Sequence, residues 1–164
     1  MKNIYLAGGC FWGTQHFFSL VKGVINTKVG YANGIKENPT YKEVCSKKYN
    51  FVEAVEIEYD EAITDLNILL KKFFLTINPT SLNKQGGDIG LQYRTGIYFT
   101  EDNSREIATK ALQQLQAQNE KKIQIELLPL ENFYSAEAYH QDYLDKNPNG
   151  YCYIPFSLFE KAKE

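Results

Sequence analysis

Cys10 stands between a pair of glycines and a pair of large aromatics in the stretch "GGCFWG" (8–13), and Trp12 is the only tryptophan of the chain. A cysteine thiolate is a strong nucleophile, and flanking glycines leave room for backbone N–H groups to face its sulfur. The apolar run 3–7 ahead of Cys10 reads as a short strand. Behind it, Thr14, Phe17, Phe18 and Val21 recur at helical spacing. That pattern puts Cys10 in a strand-to-helix turn, close to a helix N-terminus, where negative charge is favoured. Two readings stand side by side: a reactive thiol beside a pocket built by Phe11 and Trp12, or a buried cysteine packed as a small hydrophobe.

Glu53 is the second residue with chemistry in its placement. The run 51–59 alternates, with Phe51, Glu53, Val55, Ile57 and Tyr59 on one face and Val52, Ala54, Glu56 and Glu58 on the other. Glu53 therefore shares the apolar face, where burial raises a carboxyl pKa and suits it to general-acid work. The competing reading is a salt-bridged Glu on an edge strand. Tyr41, Asp88 and Tyr93 lie in or at the ends of two irregular stretches, 32–50 and 80–92. Together they offer two phenols and a carboxylate to a small polar oxygen, although loop tyrosines also serve as ordinary packing. His16 and His140 both fall on expected helices, and Cys10 with His140 raises a Cys-His hydrolase as an alternative. A non-catalytic module that binds peptides through the same aromatics is a third reading. No CxxC, HxxxH or tight carboxylate cluster suggests a metal, and the glycine pairs match no nucleotide-binding fingerprint.

The elements that must position these groups follow from length and patterning. The 164 residues fit a single domain, 1–164, with a core large enough to fold without staples. With a net charge of −2 and no basic run, binding to nucleic acid through phosphate neutralisation is poorly supported. No stretch approaches the ~20 apolar residues of a membrane span, and the first residues do not read as a secretory signal. Three cysteines, Cys10, Cys45 and Cys152, are odd in number and widely spaced, which is no secreted disulfide framework. The expectation is a cytoplasmic protein. Strands are expected over 24–31, 93–100 and 122–129. Helices are expected over 64–79, 103–121 (capped by Asn103 or Ser104) and 135–147, with an irregular tail carrying Cys152. The alternation of strands and helices indicates one α+β or α/β sheet domain.

Read together, "GGCFWG", "NPTYKEVCS" (38–46), "VEAVEIEYD" (52–60), "GGDIGLQYR" (86–94) and "YHQDYLDKNPNGYC" (139–152) resemble the successive motifs of the peptide methionine sulfoxide reductase A family, in its order and over nearly the whole chain. The resemblance implies an α+β domain with a ferredoxin-like mixed sheet flanked by helices and much ordered coil. It implies that Cys10 attacks the sulfoxide sulfur, that Phe11 and Trp12 hold the substrate methyl group, and that Glu53 protonates the oxygen bound by Tyr41 and Tyr93. By the same resemblance Asp88 lies near the substrate backbone, and Cys152 resolves the Cys10 sulfenic acid to a disulfide that thioredoxin reduces. The implied substrate is methionine-S-sulfoxide, free or in proteins, handled by a monomer with no metal or organic cofactor. With no cysteine after Cys152, a single resolving thiol is expected, and Cys45 is expected to be structural. Gln15, Phe51, Val52 and Ile89 depart from the family pattern, in the direction of a more apolar site.

Overall fold

The apolar run that opens the chain becomes β1 (Lys2–Ala7), and the helical repeat behind Cys10 becomes α1 (Phe11–Ser19), in a computed structural model that describes residues 1–164. Thr14, Phe17, Phe18 and Val21 are all buried, as their spacing requires. β2 (Val24–Ala32) follows, and then the long irregular stretch. That stretch holds a short helix the sequence reading left out, α2 (Tyr41–Cys45), closed by a capping box between Thr40 and Glu43. β3 (Val52–Tyr59) keeps the expected alternation, with Phe51 just outside it.

α3 (Leu66–Leu75) is shorter at both ends than the expected 64–79. Asp65 stops it at the front by accepting the Ile68 N–H at 2.9 Å, and Ile77 packs from beyond its C-terminus. The second irregular stretch contains a two-residue hairpin, β4 (Lys84–Gln85) and β5 (Asp88–Ile89), then a 3-10 turn over Leu91–Tyr93. Tyr93 consequently sits in a turn, and β6 (Thr95–Phe99) starts after it.

α4 (Asp102–Ala117) is preceded by Glu101 with no side-chain cap, so neither Asn103 nor Ser104 has the expected role. Next come β7 (Ile125–Pro129) and β8 (Phe133–Ser135). The expected helix over 135–147 does not form. Ser135 ends a strand, Ala138–His140 make one 3-10 turn, and Asp142 adopts a left-handed φ of 53° before α5 (Tyr143–Lys146). The side chain of Gln141 is the physical reason. It pairs with both backbone groups of Val29, accepting at 3.0 Å and donating at 2.9 Å, and so trades local helix for a tertiary tie. The tail ends in α6 (Phe156–Ala162), whose Phe159 and Ala162 are buried.

The six long strands form one sheet in the order β7-β6-β1-β3-β2-β8. Each of the four central strands, β6-β1-β3-β2, is antiparallel to its neighbours among them, with α1 and α3 as crossovers, which is the ferredoxin-like plait. β7 adds in parallel to β6, which makes the sheet mixed. Helices α1 and α3 pack on one face over Ile4, Leu6, Val29, Val55, Ile57 and Ile97. The opposite face is a thinner layer around Tyr5, Val52, Ala54 and Tyr98, covered by Leu130 and Phe133. No helix is long and apolar enough to cross a membrane.

Candidate active site

The site is built on the junction of β1 and α1. Gly9 has φ +73°, and a Cβ there would lie 2.7 Å from the Tyr153 ring, so the turn needs glycine twice over. Cys10 is the N-cap of α1 and 8% exposed. The first free N–H groups of a helix need partners, and here two carboxyls supply them. The Cys10 N–H donates to Asp88 Oδ2 at 3.4 Å, and the Phe11 N–H donates to Glu53 Oε1 at 3.2 Å. One helix end thus holds the thiol, the buried acid and the hairpin aspartate together.

Glu53 faces the helices from the start of β3, opposite Tyr31 of β2, and is 1% exposed. Burial raises its pKa from 4.5 to about 8, with the Asp88 charge adding and the Phe11 N–H opposing. Its Oε2 has no protein partner. A neutral carboxyl with one uncommitted oxygen can give a proton to an acceptor brought beside it. Burial also pushes the Cys10 thiol well up, reinforced by the Glu53 charge, while the Trp12 N–H pulls it down. Burial outweighs the helix terminus here, so the resting sulfur is a thiol.

Tyr41 opens α2 and Tyr93 closes the 91–93 turn, and both phenols lie close enough to Glu53 to feel its charge. Burial raises both phenols, and Glu53 raises them further, so they remain donors at neutral pH. Asp88 is half-buried and pushed upward by burial, against the bond from the Cys10 N–H.

Phe11 and Trp12 form an aromatic wall beside the sulfur, Phe11 buried beneath and Trp12 half-exposed. Trp12 stacks on Tyr143 with centroids 3.7 Å apart and planes 11° apart, and its indole N–H donates to His140 Nδ1 at 3.0 Å. His140 is buried against Phe11, Tyr41 and Tyr139, and burial lowers its pKa, so it stays neutral. The sequence reading set His140 on a helix. Its contacts instead make it part of the wall, with Nδ1 committed to Trp12.

Cys152 reaches α1 from the tail. A Cβ on Gly13 would lie 2.8 Å from Cys152 Sγ, so the second glycine of "GCFWG" is where the tail sulfur rests. Cys152 also lines a surface cavity of about 400 Å³ with Leu144, Ile154, Phe156 and Phe159. All three cysteines are free thiols, and Cys45 ends α2 within reach of the Tyr41 hydroxyl. The structure brings Cys10, Phe11, Trp12, Glu53, Asp88 and Cys152 to one end of α1, with Tyr41 and Tyr93 close to Glu53. Of the departures, Phe51 and Val52 are buried, but Ile89 is 64% exposed on its hairpin and adds nothing to an apolar interior. Gln15 is buried and ties α1 to Thr27 and to the Asp142 N–H.

Known proteins resemble this chain in sequence and in fold. A family model described as peptide methionine sulfoxide reductase matches residues 2–164. A peptide methionine sulfoxide reductase MsrA of Lachnoclostridium phytofermentans is 53% identical over 162 residues, 99% of this chain and 98% of the relative. The reduced form of Mxr1 from Saccharomyces cerevisiae superposes with a TM-score of 0.86 at 40% identity, covering 92% of this chain and 88% of that one. Mxr1 in complex with Trx2 superposes with a TM-score of 0.61 at 26% identity, covering 87% and 84%. Matched by the family model over residues 2–164 and by a relative 53% identical over 99% of its length, this chain belongs to the peptide methionine sulfoxide reductase family.

Proposed function

We propose that the chain reduces methionine-S-sulfoxide, free or within proteins, through Cys10, Glu53 and Cys152. The observation that carries this reading is the end of α1. There a thiol and a buried carboxyl with a pKa of about 8 are held by adjacent residues of one helix terminus. The substrate methyl group rests against Trp12 and Phe11, and the sulfoxide oxygen points at Glu53, Tyr41 and Tyr93. Asp88 holds the Cys10 backbone and borders the substrate's main chain.

Cys10 Sγ attacks the sulfoxide sulfur as Glu53 protonates the oxygen. The proton lost by Cys10 replaces the one Glu53 gave up. The net step moves one oxygen from substrate to cysteine, leaving methionine and a Cys10 sulfenic acid. The Cys152 thiol then attacks the Cys10 sulfur, water leaves, and a disulfide forms. A dithiol protein restores both thiols by exchange. The likeness to a yeast relative solved with Trx2 supports a thioredoxin in that role. Residues 1–164 act as one catalytic domain, supported by the single six-stranded sheet. Three cysteines, odd in number and widely spaced, fit a reducing, cytoplasmic setting.

Thiol counting tests the reading. One equivalent of methionine-S-sulfoxide is expected to consume two thiols, with Cys10 and Cys152 found joined by mass spectrometry. Cys152→Ser is expected to form methionine once and then stop under thioredoxin. Continued methionine formation by Cys10→Ser would overturn the proposal.

A further inference from the structure

We propose that Glu137 is a positioning residue for the oxygen-binding side of the site, setting Tyr41 through the first N–H of α2. A five-residue helix does not hold its own shape, since most of its backbone bonds would be terminal ones. Part of the cap of α2 is local: Thr40 Oγ1 accepts the Glu43 N–H at 3.2 Å, and Glu43 Oε1 accepts the Thr40 N–H at 3.1 Å. The N–H of Tyr41 itself goes elsewhere, to Glu137 Oε2 at 2.9 Å. The other oxygen, Oε1, accepts the Tyr31 hydroxyl at 2.8 Å. Tyr31 is fully buried and lies opposite Glu53 in the sheet register. One carboxylate thus ties the residue carrying the phenol to the strand that flanks the acid. Its backbone carbonyl also accepts the His140 N–H at 2.9 Å, starting the turn that puts His140 under Trp12.

Tyr93 is held by other means. Its N–H donates to Gly90 O at 3.0 Å, and Arg94 pins the same turn through Leu91 O at 3.0 Å and Asn50 O at 3.0 Å. Loss of the Glu137 side chain strips partners from Tyr41 and Tyr31 and leaves the Tyr93 supports intact. A defect confined to Tyr41 is the signature of positioning, because general loosening of the fold would not distinguish the two phenols.

The test measures single-turnover methionine formation from methionine-S-sulfoxide by the full chain. Glu137→Ala is placed in a Tyr93→Phe background, where Tyr41 is the remaining phenol, and in a Tyr41→Phe background. A roughly tenfold loss is expected in the first and no more than about twofold in the second. Glu137→Gln can turn its amide so that the oxygen accepts the Tyr41 N–H and the nitrogen donates to Tyr31. It is expected to stay within about threefold of the Tyr93→Phe parent. Equal losses in the two backgrounds would overturn the proposal. Should the alanine variant not fold, Tyr31→Phe keeps the buried ring and deletes one bond of the clamp. The same contrast at smaller amplitude is expected, and equal losses again overturn it. The proposal rests on the sulfoxide reductase reading, which fails on a separate result, turnover by Cys10→Ser, whatever the Glu137 variants do.

Discussion

At the scale of single residues, Glu53 shows how a strand pattern becomes a chemical property. Alternation alone puts it among Phe51, Val55 and Ile57, and burial then keeps it protonated near neutrality, with a pKa of about 8. Glu53→Gln is expected to slow sulfoxide reduction by roughly 10²-fold, measured in single turnover. The wild-type rate should fall as pH rises through about 8, because the proton donor is lost, and the Gln variant should lack that decline. A Glu53→Gln rate within about twofold of wild type would remove the acid from the mechanism. Gly13 teaches the opposite lesson. From sequence it is one more glycine in a turn, and only the packing of the tail reveals it as the seat of Cys152 Sγ. Gly13→Ala is expected to leave the first methionine formed at close to the wild-type rate. Disulfide formation should slow by roughly tenfold or more, since a Cβ takes the sulfur's place. Unchanged disulfide formation, followed by thiol titration after mixing, would show that Cys152 does not use this seat.

At the scale of elements, long stripes and alternations were legible and short, tertiary-held pieces were not. α1, β3 and the centre of α3 follow their apolar periodicity closely. The segment 135–147 has helical composition but spends its polar side chains on other elements, Glu137 on α2 and β2, Gln141 on Val29. Single-sequence patterning cannot see such partners. α2 did carry a local signal, the capping box of Thr40 and Glu43 that the reading passed over, whereas the bond from its first N–H to Glu137 leaves no local record. Arg94 is the clearest case. It is 6% exposed, pairs with Glu126 at 3.1 Å, and donates to the carbonyls of Asn50, Phe51 and Leu91. Glu126 is partly exposed and the pair is discounted for that. Arg94→Ala is still expected to cost about 3 kcal/mol, read from denaturant unfolding, because three carbonyls lose their donor. A loss below about 1 kcal/mol would mean that water replaces these bonds.

At the scale of the whole molecule, the buried acid links function to stability. The folded pKa of Glu53, about 8, lies above its ordinary 4.5, so the folded state holds the proton more tightly. The stability this brings is complete below about pH 4.5 and is lost as pH rises towards 8, on the order of 4 kcal/mol in all. Thermal unfolding should therefore show wild type losing ground to Glu53→Gln between about pH 5 and about pH 9. A constant difference across that range would mean that Glu53 is ionised in the fold. The sequence by itself determined one sheet domain of alternating strands and helices, through period-2 and period-3.6 patterning, and the chemical types of the site, because a nucleophile, an inward acid and phenols are properties of side chains; the plait was implied by the family resemblance alone. Tertiary structure alone decided which of them meet. Cys10 and Phe11 are neighbours in the chain, but Asp88, Glu53 and Cys152 reach that helix end only through sheet register, hairpin and tail packing. Those contacts join distant residues, and local patterning carries no record of them.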